Sequence, residues 1–87
     1  MDAVAVLDIS APFLSRQMQV LLLWIMRFSY KEIAHAMQIE YQTVNSHLDQ
    51  LQTKWELDDR SDLARAAIII FIPYFVQIGA VYGKDLP

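Results

Sequence analysis

Between positions 20 and 26 the chain reads Val-Leu-Leu-Leu-Trp-Ile-Met, with no polar side chain in the run. Wound as a helix, this run is apolar on nearly every side. Such a helix is enclosed by other elements or meets another chain. With 87 residues, the natural expectation is one domain. A domain of that size buries only a modest share of its surface, so self-association is a natural supplement to its core. The hydrophobic share is 55%, against roughly 45–50% in ordinary globular proteins. That excess asks for a partner surface, a dimer seam or a membrane. Both glycines lie late in the chain, and the apolar spacing elsewhere is helical, so the expected fold class is all-α.

Four helices are expected. The first runs from Ser15 to Met26, with Ser10 or Ser15 as its cap and Pro12 suited to a first turn. Ser29 and Glu32 form the S-x-x-E capping-box pattern, which starts a short second helix at Tyr30. That helix ends near Met37 and turns Ile33, Ala34 and Met37 inward. Ile39 plugs the corner before a third helix, Tyr41 to about Trp55. Val44, Leu48, Leu51 and Trp55 recur there at helical spacing and face the core. Asp59 caps a fourth helix, Arg60 to about Ile72, and Asp62 adds a favourable charge near its positive end. Pro73 is expected to kink or stop it. Beyond Pro73 the sequence fits either further helical turns or a packed, strand-like tail. The expected organisation is an N-terminal arm over residues 1–12, a helical domain over 13–72 and an apolar tail over 73–87.

Several classes of function are disfavoured. Cysteine is absent, which excludes disulfides, thiolate metal sites and thiol switches. His35 and His47 are twelve positions apart and do not make a ligand pair on one helical face, so no metal is expected. No phosphate-binding glycine loop or nucleophile motif is present, so neither an enzyme nor a cofactor is expected. The N-terminal stretch lacks the basic n-region of an export signal, which points to a cytoplasmic protein. The apolar stretch from Ala66 to Tyr82, at ~1.5 Å per helical residue, falls short of a ~30 Å hydrocarbon core, so no membrane span is expected.

A short helix, a tight turn and a second helix with an outward polar face make a helix-turn-helix. The stretch from Phe13 to Leu63 resembles the LuxR/FixJ/NarL-type DNA-binding domain. The family opening, Leu-Thr-x-Arg-Glu-x-Glu-Val-Leu, appears as FLSRQMQVL and keeps Arg16, Val20 and Leu21. Lys-Glu-Ile-Ala is unchanged at Lys31, Glu32, Ile33 and Ala34. Further matches fall at Ile39, Thr43, Val44, His47, Lys54, Leu57 and Arg60, without a gap. The resemblance implies a four-helix LuxR-type domain, here with an apolar C-terminal extension. It implies that the third helix enters the major groove of double-stranded DNA, and that the fourth forms a homodimer seam.

Carried over by position, Lys31 and Thr43 touch phosphates, while Asn45, Ser46 and Asp49 face base edges. Tyr41, Gln42, His47 and Lys54 complete the candidate DNA-binding set, with His47 read either as a structural residue or as lying near the DNA backbone. Arg16 is expected either to join Lys31 and Lys54 on phosphate or to hold an acidic neighbour. Leu22, Met26, Ala67, Ile68, Phe71, Tyr74 and Phe75 form the candidate dimer or partner interface.

The departures from the family pattern cluster on the contact face. Asn45 stands where a lysine is common, and Asp49 where a lysine or another polar donor is frequent. Glu40 replaces the usual Ser or Thr cap, Arg27 a glycine and Ile25 a small alanine. From Tyr41 to Thr53 there is no Lys or Arg, and the formal net charge is −3, unlike the basic balance usual in nucleic-acid binders. Two readings follow. One is a small transcription regulator that binds DNA as a homodimer. The alternative is a protein-interaction module on the same scaffold, which binds and modulates another regulatory protein.

Overall fold

The apolar run at positions 20–26 governs the architecture. In a computed structural model, which describes residues 2–10 and 14–83, the chain forms five helices and, among those residues, no strand. They are α1 (Ala3–Ser10), α2 (Arg16–Ile25), α3 (Tyr30–Met37), α4 (Tyr41–Lys54) and α5 (Arg60–Gly83). Helix α2 touches each of the other four. Its Val20, Leu21, Leu22 and Leu23 are all 0% exposed, which is the enclosure an all-round apolar helix requires. Ile33 and Met37 from α3, Val44, Leu48 and Leu51 from α4, and Leu63, Ala67 and Phe71 from α5 close around it.

The starts of the helices are set locally. Ser15 caps α2 by accepting from the Met18 N–H at 3.2 Å. The capping box at α3 is complete: Ser29 Oγ accepts from the Glu32 N–H at 3.1 Å, and Glu32 Oε1 from the Ser29 N–H at 2.9 Å. Asp59 accepts from the Asp62 N–H at 2.9 Å at the start of α5. Glu40, before α4, makes no side-chain cap.

The ends share a different device. Arg27, Gln38 and Glu56 all adopt the left-handed conformation, with φ of 75°, 57° and 56°. In each case the next residue's N–H reaches back to a helix carbonyl: Phe28 to Leu23, Ile39 to Ala34 and Leu57 to Gln52. This is the Schellman closure, and it is normally built on glycine. Here Phe28, Ile39 and Leu57 are apolar and pack against the core, which offsets the backbone cost.

Two expectations are corrected. The N-terminal arm holds a helix, α1, whose Ala3 and Val6 enter the core; Asp2 starts it by accepting from the Val4 N–H at 3.0 Å. And α5 does not stop at Pro73 but continues to Gly83. Proline forfeits one helical hydrogen bond, and Pro73 lies on the exposed side of the helix, where water can take the freed carbonyl. Pro12, residues 84–87 and the side chains of Ser10, Tyr74 and Phe75 lie outside what the structure describes. Among the described residues, no helix is long and apolar enough to cross a membrane.

Arg27 bears the strain of a left-handed residue with a Cβ, which costs about 1–2 kcal/mol. Arg27→Gly is expected to raise stability by about 1 kcal/mol, read as a higher denaturation midpoint with an unchanged denaturant slope.

Candidate nucleic-acid interface

Helices α3 and α4, joined by Gln38-Ile39-Glu40, form a helix-turn-helix. The joint is held from two sides. The left-handed Gln38 turns the chain, and Arg16 Nη2 donates to the Met37 carbonyl at 2.8 Å. That carbonyl ends α3 and has no helical partner of its own, so a cation there meets both an orphan acceptor and the negative end of the helix. Arg16 thus ties α2 to the end of α3 and makes no ion pair with an acidic side chain among the described residues.

Helix α4 buries Val44, Leu48 and Leu51 and exposes Tyr41, Gln42, Asn45, Ser46, Asp49, Gln50, Thr53 and Lys54. The candidate DNA-binding residues divide accordingly. Lys31 is exposed in the first turn of α3 and Lys54 in the last turn of α4. Tyr41 is exposed, its ring 5.4 Å from that of Tyr30 and tilted by 51°. Thr43 is half-buried. Ser46 Oγ donates to the Gln42 carbonyl at 3.0 Å, so its hydroxyl proton is already engaged. His47 does not share the outward face. It is half-buried, and its Nδ1 is shut away from solvent without a hydrogen-bond partner.

The two residues that depart most from the family pattern are held together by a third from another helix. Asn45, Asp49 and Gln52 follow one another at spacings of four and three, and so form a stripe along α4. Arg60, the first residue of α5, lies across that stripe. Its Nη2 donates to Asp49 Oδ1 at 2.7 Å and to Asn45 Oδ1 at 3.0 Å, and its Nη1 to Gln52 Oε1. Asn45 Nδ2 in turn donates to Asp49 Oδ2 at 3.3 Å. Both ends of the Asn45 amide are thus occupied within the chain. Burial by itself would lower the pKa of Arg60, but its interactions with Tyr30 and Asp49 outweigh that and hold it above its ordinary value. The guanidinium is a fixed positive charge. With Arg60 30% and Asp49 61% exposed, solvent screens the pair, and it is worth at most about 1 kcal/mol.

The candidate interface residues separate as well. Leu22, Ala67 and Phe71 are 0% exposed. They fill the chain's own core and are not offered to a partner. Met26 is half-buried, and Ile68 is 49% exposed. Sequence reasoning missed the neighbours of Ile68: Ile69, Ile72 and Val76 are exposed too. Their spacing of three and four residues was a signal available in the sequence. Among the described residues, no cluster of His, Cys, Asp or Glu is arranged to hold a metal ion.

The helix-turn-helix thus defines the class of domain. Residues 12–67, well over half of the chain, match the model of the bacterial regulatory proteins of the luxR family, and the chain belongs to that family. Membership makes it a DNA-binding domain of the kind that regulates transcription. No curated protein and no solved structure gives a significant match.

The orientation of this unit starts at the α3 cap. Ser29→Ala leaves the Glu32 N–H without its acceptor and is expected to cost about 1 kcal/mol of stability, measured by thermal or denaturant unfolding.

Proposed function

We propose that this chain regulates transcription by binding double-stranded DNA as a homodimer, with α4 lying in the major groove. The observation that carries the reading is the outward face of α4. It is polar, and Tyr41, Gln42, Asn45, Ser46, Asp49, Gln50 and Thr53 on it remain exposed, although Arg60 of α5 reaches across part of it. A second helix of a helix-turn-helix meets base edges through such a face. Lys31 and Lys54 flank it as exposed cations, and neither is part of an ion pair among the described residues. They are the phosphate anchors in this reading, with Thr43 beside them.

The dimer half of the reading rests on α5. Ile68, Ile69, Ile72 and Val76 are 49%, 69%, 52% and 67% exposed. Together they form an apolar stripe that water solvates poorly. Packing it against its counterpart in a second subunit removes that surface and doubles the number of cations facing one duplex. For a chain this acidic, the doubling decides whether binding is useful. Each phosphate neutralised adds about 0.9 to the magnitude of the log–log salt slope, so two anchors per subunit give a shallow slope until two subunits act together.

The second reading, a module that modulates another regulatory protein, is favoured by one observation. Both halves of the Asn45 amide are already paired within the chain, which removes a ready adenine reader from the DNA face. A salt-titrated binding assay on duplex DNA, run beside a mass determination in solution, separates the two. The homodimer reading expects a two-subunit mass and salt-sensitive binding. Lys31→Ala and Lys54→Ala should each reduce the slope by about 0.9 per subunit without changing sequence preference, and Ile69→Asp should yield a monomer with weaker binding. Background binding at physiological salt, with a tight complex to a second regulator, would establish the other reading instead.

A further inference from the structure

From Tyr41 to Thr53, α4 carries no cation, yet a guanidinium lies on its outward face. It comes from α5. Arg60 spans Asn45, Asp49 and Gln52 through three hydrogen bonds, two of them from the same nitrogen. All of these acceptors belong to the stripe that faces away from the core. The planar fork of arginine suits this task, because it presents several donors in a fixed plane to several oxygens at once. Arg60 retains N–H groups beyond those three bonds, since a guanidinium carries five. Opposite it, Asp49 presents a carboxylate oxygen at 2.7 Å and is 61% exposed. That is the geometry in which an arginine meets a phosphate oxygen.

We propose that Arg60 is a further DNA-contacting residue and supplies the charge that α4 lacks, while Asp49 is the internal anion that a DNA phosphate displaces from it. This rests on the DNA-binding reading above. In the free protein, Asp49 neutralises Arg60 and keeps the face from attracting polyanions indiscriminately. On DNA, the phosphate competes with Asp49 for the same N–H groups. The exchange conserves the number of ion pairs, so its net gain is small, and Asp49 sets how weak the binding is. A purely structural role, in which Arg60 only ties the start of α5 to α4, makes a different prediction about salt.

The test uses the full chain with a short mixed-sequence duplex, titrated with salt, alongside thermal unfolding of each variant. Arg60→Ala should lower affinity and reduce the salt slope by about 0.9 per subunit. Arg60→Lys keeps the charge and should keep the slope, even where losing the fork lowers the melting temperature. Asp49→Asn removes the competitor and should tighten binding about two- to fivefold, the range expected for an exposed ion pair. Asp8→Asn removes the same formal charge from α1 and should leave affinity unchanged. An unchanged slope in Arg60→Ala, or an Asp49→Asn variant that binds no tighter, overturns the proposal. Should Arg60→Ala not fold, Asp49→Asn decides on its own. Wild type and Asp49→Asn both failing to bind in a salt-dependent way would overturn the DNA reading as well. Wild-type binding with no response to Asp49→Asn overturns this inference alone.

Discussion

The enclosure of Val20, Leu21, Leu22 and Leu23 is the interaction on which the rest of the molecule depends. Four successive fully buried positions on one helix cannot be covered by one neighbour. Successive side chains point about 100° apart, so the run has to be surrounded. Helices α1, α3, α4 and α5 are held in place because each supplies part of that surround. Burying a large aliphatic side chain is worth roughly 1.5–3 kcal/mol, so this short segment outweighs any single polar contact in the structure. The polar contacts do something else, fixing where each helix begins and which way α4 faces.

What the sequence revealed and what it concealed follow from range. The box between Ser29 and Glu32 involves residues three apart, and the pattern of Val44, Leu48 and Leu51 repeats within one helix. Both were readable because the physics that sets them is local. The grip of Arg16 on the Met37 carbonyl spans 21 positions, and that of Arg60 on Asp49 spans 11. No local pattern announces such contacts; they exist only once the core has set the helix directions. Composition also misled in one place. Leu22, Ala67 and Phe71 looked like surplus apolar surface, but periodicity cannot say whether a buried residue is covered by its own chain or by another. The remaining surplus lies one step away, at Ile69, Ile72 and Val76, where sequence reasoning had expected the fourth helix to be ending.

The outward face of α4 is a case where the departures from the family pattern make sense only as a set. Taken singly, Asp49 is an exposed carboxylate and Asn45 a neutral amide on a face without a Lys or Arg from Tyr41 to Thr53. Together with Gln52 they form the acceptor row on which Arg60 rests. Arg60 itself matches the family pattern, so the departures supply acceptors to a cation already at the start of α5 and leave the face polar and nearly neutral.

The three turns that close α2, α3 and α4 carry a kinetic consequence. None has a glycine to favour the left-handed geometry, and each depends on one apolar side chain, Phe28, Ile39 or Leu57, lying against the interior. In an uncollapsed chain those side chains have nothing to lie against, so the reversals have no local reason to form. The angles between helices are then settled together with hydrophobic collapse, and the unit that presents α4 is acquired in a concerted step rather than assembled from pre-bent pieces.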